Sequence, residues 1–136
     1  MSSPELDHVR GVWQRMQGNS PIYDFLLSDV EIISARKGAV TARLALAKNH
    51  VNSRGTIHGA VSAALADWSG ASIDIHVTYI GTANVGETIE IEAIANKVGR
   101  SIAFTTLRIY KLVEGQQGPM IATASHTKYI SQQKKE

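Results

Sequence analysis

A chain of 136 residues, 43% of them hydrophobic and 19% charged, suits one globular domain built on one core and makes a second domain unlikely by size. With no cysteine there is no disulfide framework, thiolate metal site or cysteine nucleophile, and a net charge of +2 gives no concentrated basic face for nucleic acid. No run of about 18 apolar residues offers a membrane span, and Met1-Ser-Ser-Pro-Glu-Leu-Asp-His lacks the basic-then-apolar order of a secretory signal, so a soluble, intracellular protein is expected, in the cytoplasm or an organelle such as the mitochondrion.

In chain order, Leu6, Val9, Val12, Trp13 and Met16 fall at helical spacing and predict a helix over 6–16, which Gly18-Asn-Ser-Pro21 interrupts before a short apolar segment over 22–27. Trp13 and Tyr23 are read as packing residues of this N-terminal helical segment, 1–28. Rough alternation then predicts strands over 30–35 and 39–46 around the turn Arg36-Lys-Gly38. Gly59-Ala-Val-Ser-Ala-Ala-Leu-Ala66 reads as a buried helix with small side chains on every face, close enough in bulk for a sheet to wrap it. Strands over 73–80, 88–98, 101–112 and 119–130 follow, divided by Gly81-Thr-Ala-Asn, Gly99-Arg and Glu114-Gly-Gln-Gln-Gly118, and residues 131–136 form a polar tail.

The segment His50-Val-Asn-Ser-Arg-Gly-Thr-Ile-His-Gly59 and the lone acid Asp67 concentrate the chemistry. A helix N-terminus leaves backbone N–H groups without partners and carries about half a positive charge, so it favours a developing oxyanion. Gly59, lacking a Cβ, lets a carbonyl approach its N–H closely. Asp67 closes an apolar run and must be paired, protonated, exposed or functional, because desolvation opposes its ionisation. Asn52 precedes a turn, where Asn is favoured for local reasons, and His58 can donate a hydrogen bond beside the helix start. His50, His76, Asp67 and Asp74 do not reproduce a metal-ligand spacing, and no metal is expected.

Asn52-Ser-Arg-Gly-Thr-Ile-His-Gly59, Asp67, Ser72-Ile-Asp-Ile-His-Val-Thr-Tyr79, Gly86-Glu-Thr-Ile-Glu-Ile-Glu-Ala93, Lys97-Val-Gly-Arg-Ser-Ile-Ala-Phe104 and Ile121-Ala-Thr-Ala-Ser-His-Thr-Lys128 occur in an order that resembles the hotdog-fold acyl-CoA thioesterases. The branch resembled is that of the phenylacetic-acid-pathway thioesterases and thioesterase superfamily member 2, over about 39–129. The resemblance implies an α+β hotdog fold across 1–136, a curved antiparallel sheet around the small-residue helix, with the free sheet edge paired to a second copy in a homodimer and a dimer of dimers. It implies hydrolysis of an acyl-CoA to a free acid and coenzyme A, with no cofactor beyond the coenzyme A of the substrate. In that scheme the Gly59 N–H polarises the carbonyl, Asn52 orients water or contacts the carbonyl, and His58 supports them. Asp67 of the neighbouring subunit acts as base or nucleophile, and Ser72 helps to hold the water or the acid. Arg100 and Ser101 are candidates for coenzyme A phosphate contacts, with Lys97 and Lys128 weaker ones. A non-catalytic acyl-CoA-binding hotdog protein, or a hotdog dehydratase using His58 with Asp67, stands as the alternative.

One departure is specific to this chain. Only Trp68, Ser69, Gly70 and Ala71 lie between Asp67 and Ser72, where the family's helix continues and returns by a loop. A helix over 59–70 spans only about 17 Å, so the next strand has to begin almost where the helix stops. Either a stretch has been deleted, or a segment is missing from the numbering and a Cα separation well above about 3.8 Å marks the Gly70–Ala71 junction.

Overall fold

A computed structural model describes residues 3–68 and 71–130, and the awaited Gly70–Ala71 separation and the polar tail at 131–136 lie outside the described residues. The helices are α1 (Pro4–Met16), α2 (Pro21–Leu27) and α3 (Gly59–Asp67). The strands are β1 (Glu31–Arg36), β2 (Ala39–Ala45), β3 (Ala71–Tyr79), β4 (Thr88–Val98), β5 (Ile102–Val113) and β6 (Gln116–Tyr129), with a 3₁₀ turn at Lys48–His50.

Local chemistry explains the starts and stops. Ser3 caps α1, its Oγ accepting the Leu6 N–H at 3.1 Å, and Pro4 occupies the first turn, where a missing N–H costs nothing. The β5–β6 turn is tighter than the expected Glu114–Gly118 loop. Glu114 and Gly115 both take positive φ, 53° and 75°, as a two-residue hairpin turn of matching twist requires, so β6 begins at Gln116. Gly118 becomes a strand residue; a Cβ there would stand 2.7 Å from both the Lys111 carbonyl oxygen and Val113 Cγ2.

The six strands form one antiparallel sheet in the order β1-β2-β4-β5-β6-β3. Ala42, Leu44, Ile89, Ile91, Leu107, Ile109, Ala122 and Ala124 share its inner face and bury against Val61 and Leu65 of α3 and Trp13 of α1. α1 packs on β1, and α3 lies against β3 and β6.

β3 is an edge strand, and Ile73 and Tyr79 on it are 56% and 57% exposed. Strict alternation would put Ser72 on the outer face with Asp74, His76 and Thr78. The register shift between Ser72 and Asp74 reverses that for Ser72 alone: Asp74 faces Thr127, while Ser72 faces Lys128 and reaches the inner-facing His126.

Candidate active site

α3 carries chemistry at both ends. At its start, His58 is the N-cap, and its Nδ1 accepts the Ala60 N–H at 3.0 Å, which leaves Nε2 as the N–H donor of the neutral ring. Gly59 follows as the first helical residue, so its N–H is among the first-turn donors that no helical carbonyl can meet. The Tyr79 hydroxyl donates to the Gly59 carbonyl at 2.8 Å, and a Cβ at Gly59 would meet the Tyr79 ring at 3.1 Å. Asn52 stands nearby in sequence but has a turn of its own to hold. Its Oδ1 accepts the Arg54 N–H at 2.9 Å, the Thr56 N–H at 3.3 Å and the Thr56 hydroxyl at 3.1 Å. Three donors on Oδ1 fix the amide's orientation.

At the far end of α3, Asp67 is half-buried and both carboxylate oxygens are engaged. The Ser72 hydroxyl donates to Oδ1 at 2.5 Å, and the Tyr23 hydroxyl meets Oδ2 at 3.1 Å and the Asp67 backbone carbonyl at 2.9 Å. The Ser72 oxygen also lies 2.9 Å from His126 Nε2; with the one Ser72 proton on Asp67, this contact is a hydrogen bond when Nε2 carries a proton, and the His126 ring also pairs with the Ala66 backbone carbonyl. Burial first and the Lys128 charge second push the buried His126 below its ordinary value, with Asp67 opposing them. Burial, then the charge and hydrogen bond of Asp67, raise the Tyr23 phenol to about 12, so it stays a donor at any physiological pH.

A cavity of about 390 Å³ opens between α1 and the sheet, walled by Val12, Met16, Val40 and Ala95, with His126 and Lys128 beside the Asp67 network. Lys128 is half-buried there, and desolvation lowers it from the ordinary lysine value. Arg100, Ser101 and Lys97 are exposed around the β4–β5 turn.

Residues 69–116 match the family described as the thioesterase superfamily. Human acyl-coenzyme A thioesterase 13 is 31% identical over 121 residues, covering 79% of this chain and 84% of its own length. The crystal structure of zebra fish thioesterase superfamily member 2 is 34% identical, superposes with a TM-score of 0.80, and matches 95% of this chain and all of its own. The mouse member 2 structure is 30% identical, with a TM-score of 0.81, over 96% of this chain and all of the other. This chain belongs to the thioesterase superfamily.

As a member of that superfamily it is a thioester hydrolase with the hotdog fold expected from the sequence. Among the residues singled out from sequence, Asp67 and Ser72 touch each other despite the short connection between them. His58 and Gly59 sit together at the opposite end of the helix, and Asn52 holds the turn that precedes it. Lys128 lines the cavity, and Arg100 and Ser101 do not. His50, set aside as a metal ligand, is buried and structural: Nδ1 accepts the Ala47 N–H at 2.9 Å and Nε2 pairs with the Leu26 carbonyl at 2.7 Å. Among the described residues no group of three His, Cys, Asp or Glu side chains could hold a metal, and no helix is long and apolar enough to cross a membrane. Sequence reasoning missed two site residues. Tyr23 looked like one more aromatic in an apolar segment, and His126 lay within a strand where only its inward, polar position between Ala124 and Lys128 could have flagged it.

Proposed function

We propose that this chain is an acyl-CoA thioesterase whose active site is completed across a dimer, with Gly59 of one copy and Asp67 of the other acting on one thioester. The observation that carries this reading is the location of the two groups at opposite ends of α3. Eight residues separate them, about 12 Å along a helix axis, whereas a carbonyl oxygen donor and a base for the attacking water must each come within about 3 Å of their targets. One helix cannot serve one carbonyl from both ends, but two antiparallel copies can. The apolar, exposed edge at β3 supports such a pairing, since an uncovered edge of this kind otherwise invites aggregation.

In the proposed reaction the acyl-CoA carbonyl lies on the Gly59 N–H, with the Asn52 amide and His58 Nε2–H as further donors. Asp67 of the partner, held by Ser72 and Tyr23, takes a proton from water as that water attacks the carbonyl carbon. The tetrahedral oxyanion is stabilised by the helix terminus, then collapses with cleavage of the C–S bond; the coenzyme A thiolate receives the proton from Asp67 and the acid is released. His126 holds Ser72, so that the hydroxyl keeps its proton on Asp67. Arg100 and Ser101, with Lys97, supply exposed donors for coenzyme A phosphates. The cavity under α1 takes the acyl chain: with about 30 Å³ as a water molecule's share of liquid volume, it has room for about a dozen non-hydrogen atoms. The dehydratase reading loses ground because His58 Nδ1 is occupied as a cap acceptor, which leaves the neutral ring a donor and not a base.

Thiol release from acetyl-, decanoyl- and phenylacetyl-CoA, measured for the wild type and Asp67→Asn, tests the function. Turnover that falls at least a hundredfold in the variant, with acyl-CoA binding retained, is expected. Binding without turnover by the wild type would leave the non-catalytic acyl-CoA binder in its place.

A further inference from the structure

Tyr23 reaches Asp67 from 44 residues away, and its contacts exceed what packing requires. α2 is a seven-residue helix whose apolar side already has Leu27 as its fully buried anchor. The Tyr23 hydroxyl shares its one proton between two acceptors at one place, the backbone carbonyl and the side-chain Oδ2 of Asp67, the last residue of α3. A terminal residue of a helix is where fraying begins, and here only three residues separate the end of α3 from the start of β3. A base at such a position would have several rotamers open to it unless something outside the helix held it.

From this geometry we infer that Tyr23 is a positioning residue for Asp67: it clamps the carboxylate and the helix end together, so that Oδ2 is occupied and Asp67 keeps the one rotamer in which Ser72 meets Oδ1. The inference rests on the reading of Asp67 as the base. The phenol suits this task because it donates and, in this setting, does not ionise. The titratable groups around Asp67 are Tyr23 from α2, and His126 with Lys128 beside it on β6; Ser72 supplies the remaining donor from β3.

The test is Tyr23→Phe, which keeps the ring and removes only the hydroxyl. With decanoyl-CoA, kcat is expected to fall about tenfold while KM stays within about twofold, in keeping with loss of one hydrogen bond to a charged group. In an Asp67→Asn background the same substitution should change the residual rate by less than about twofold, since a residue that acts through Asp67 has nothing left to position. A role in packing alone would lower Tm and leave kcat in place, and that result overturns the inference. If the wild type hydrolyses no thioester, it is the functional reading that fails. Should Tyr23→Phe not fold, ultraviolet titration of the four tyrosines decides between wild type and Asp67→Asn: one phenol ionising at lower pH in the variant supports the clamp, and unchanged curves overturn it.

Discussion

Replacing Gly59 by proline offers a substitution that the helix tolerates and the chemistry does not. Gly59 is the first residue of α3, the helical position where proline is favoured because the N–H has no intrahelical partner. His58 before it has φ −75° and ψ 136°, the extended conformation that a residue preceding proline adopts. The ring's Cβ would come 3.1 Å from the tip of the exposed Tyr79 side chain, which can move aside. The fold is therefore expected to survive, while the N–H assigned to the carbonyl oxygen disappears. Loss of one oxyanion donor typically costs about 10²- to 10³-fold in kcat. Gly59 and Asp67 are about 12 Å apart within one chain, so on the proposed shared site each active site uses one group from each copy. Equal co-expression of Gly59→Pro and Asp67→Asn chains then leaves a site intact when an unaltered Gly59 faces an unaltered Asp67. With random pairing of copies in a two-fold dimer this is about one site in four. Two inactive parents should thus yield about a quarter of wild-type thiol release per site. Activity no higher than the parents' average, with mixed dimers demonstrated by two affinity tags, would refute the shared site.

Further expectations concern the acid network and the cavity. His126 is held below the ordinary value near 6.5, so as pH falls through that value the unfolded chain takes up a proton that the folded one does not, and stability declines below about pH 6.5. In His126→Gln this part of the decline should vanish in urea melts between pH 7 and 5; parallel curves for both proteins would contradict the burial argument. Ala95→Phe fills the cavity under α1 and should lower kcat/KM for decanoyl-CoA about tenfold or more while leaving acetyl-CoA within about threefold, as expected when chain methylenes worth about 0.8 kcal/mol each lose their place. An equal loss on both substrates would place the acyl chain elsewhere.

The sequence by itself determined the element order, because each strand and helix carries its own periodicity and turn residues. Strands were legible from alternation, and α3 from a run too rich in alanine to be anything but a closely packed helix. It also marked the candidate residues that stand next to a local signal: Gly59 and His58 at a helix start, Asn52 at a turn, Asp67 as a lone acid after an apolar run. Hairpin geometry was less legible, as the Glu114–Gly115 turn needs positive φ at both positions, and composition alone did not distinguish that pair from the longer Glu114–Gly118 stretch. Only the tertiary structure decided which side chains meet Asp67. Alternation along β3 assigns Ser72 to the outer face, and a single bulge turns it inward. Tyr23 arrives from a separate helix 44 residues earlier, and His126 from a strand 54 residues beyond Ser72. Contacts over such separations depend on how the sheet and α2 pack around α3, and no periodicity in one segment encodes what a distant segment brings to it.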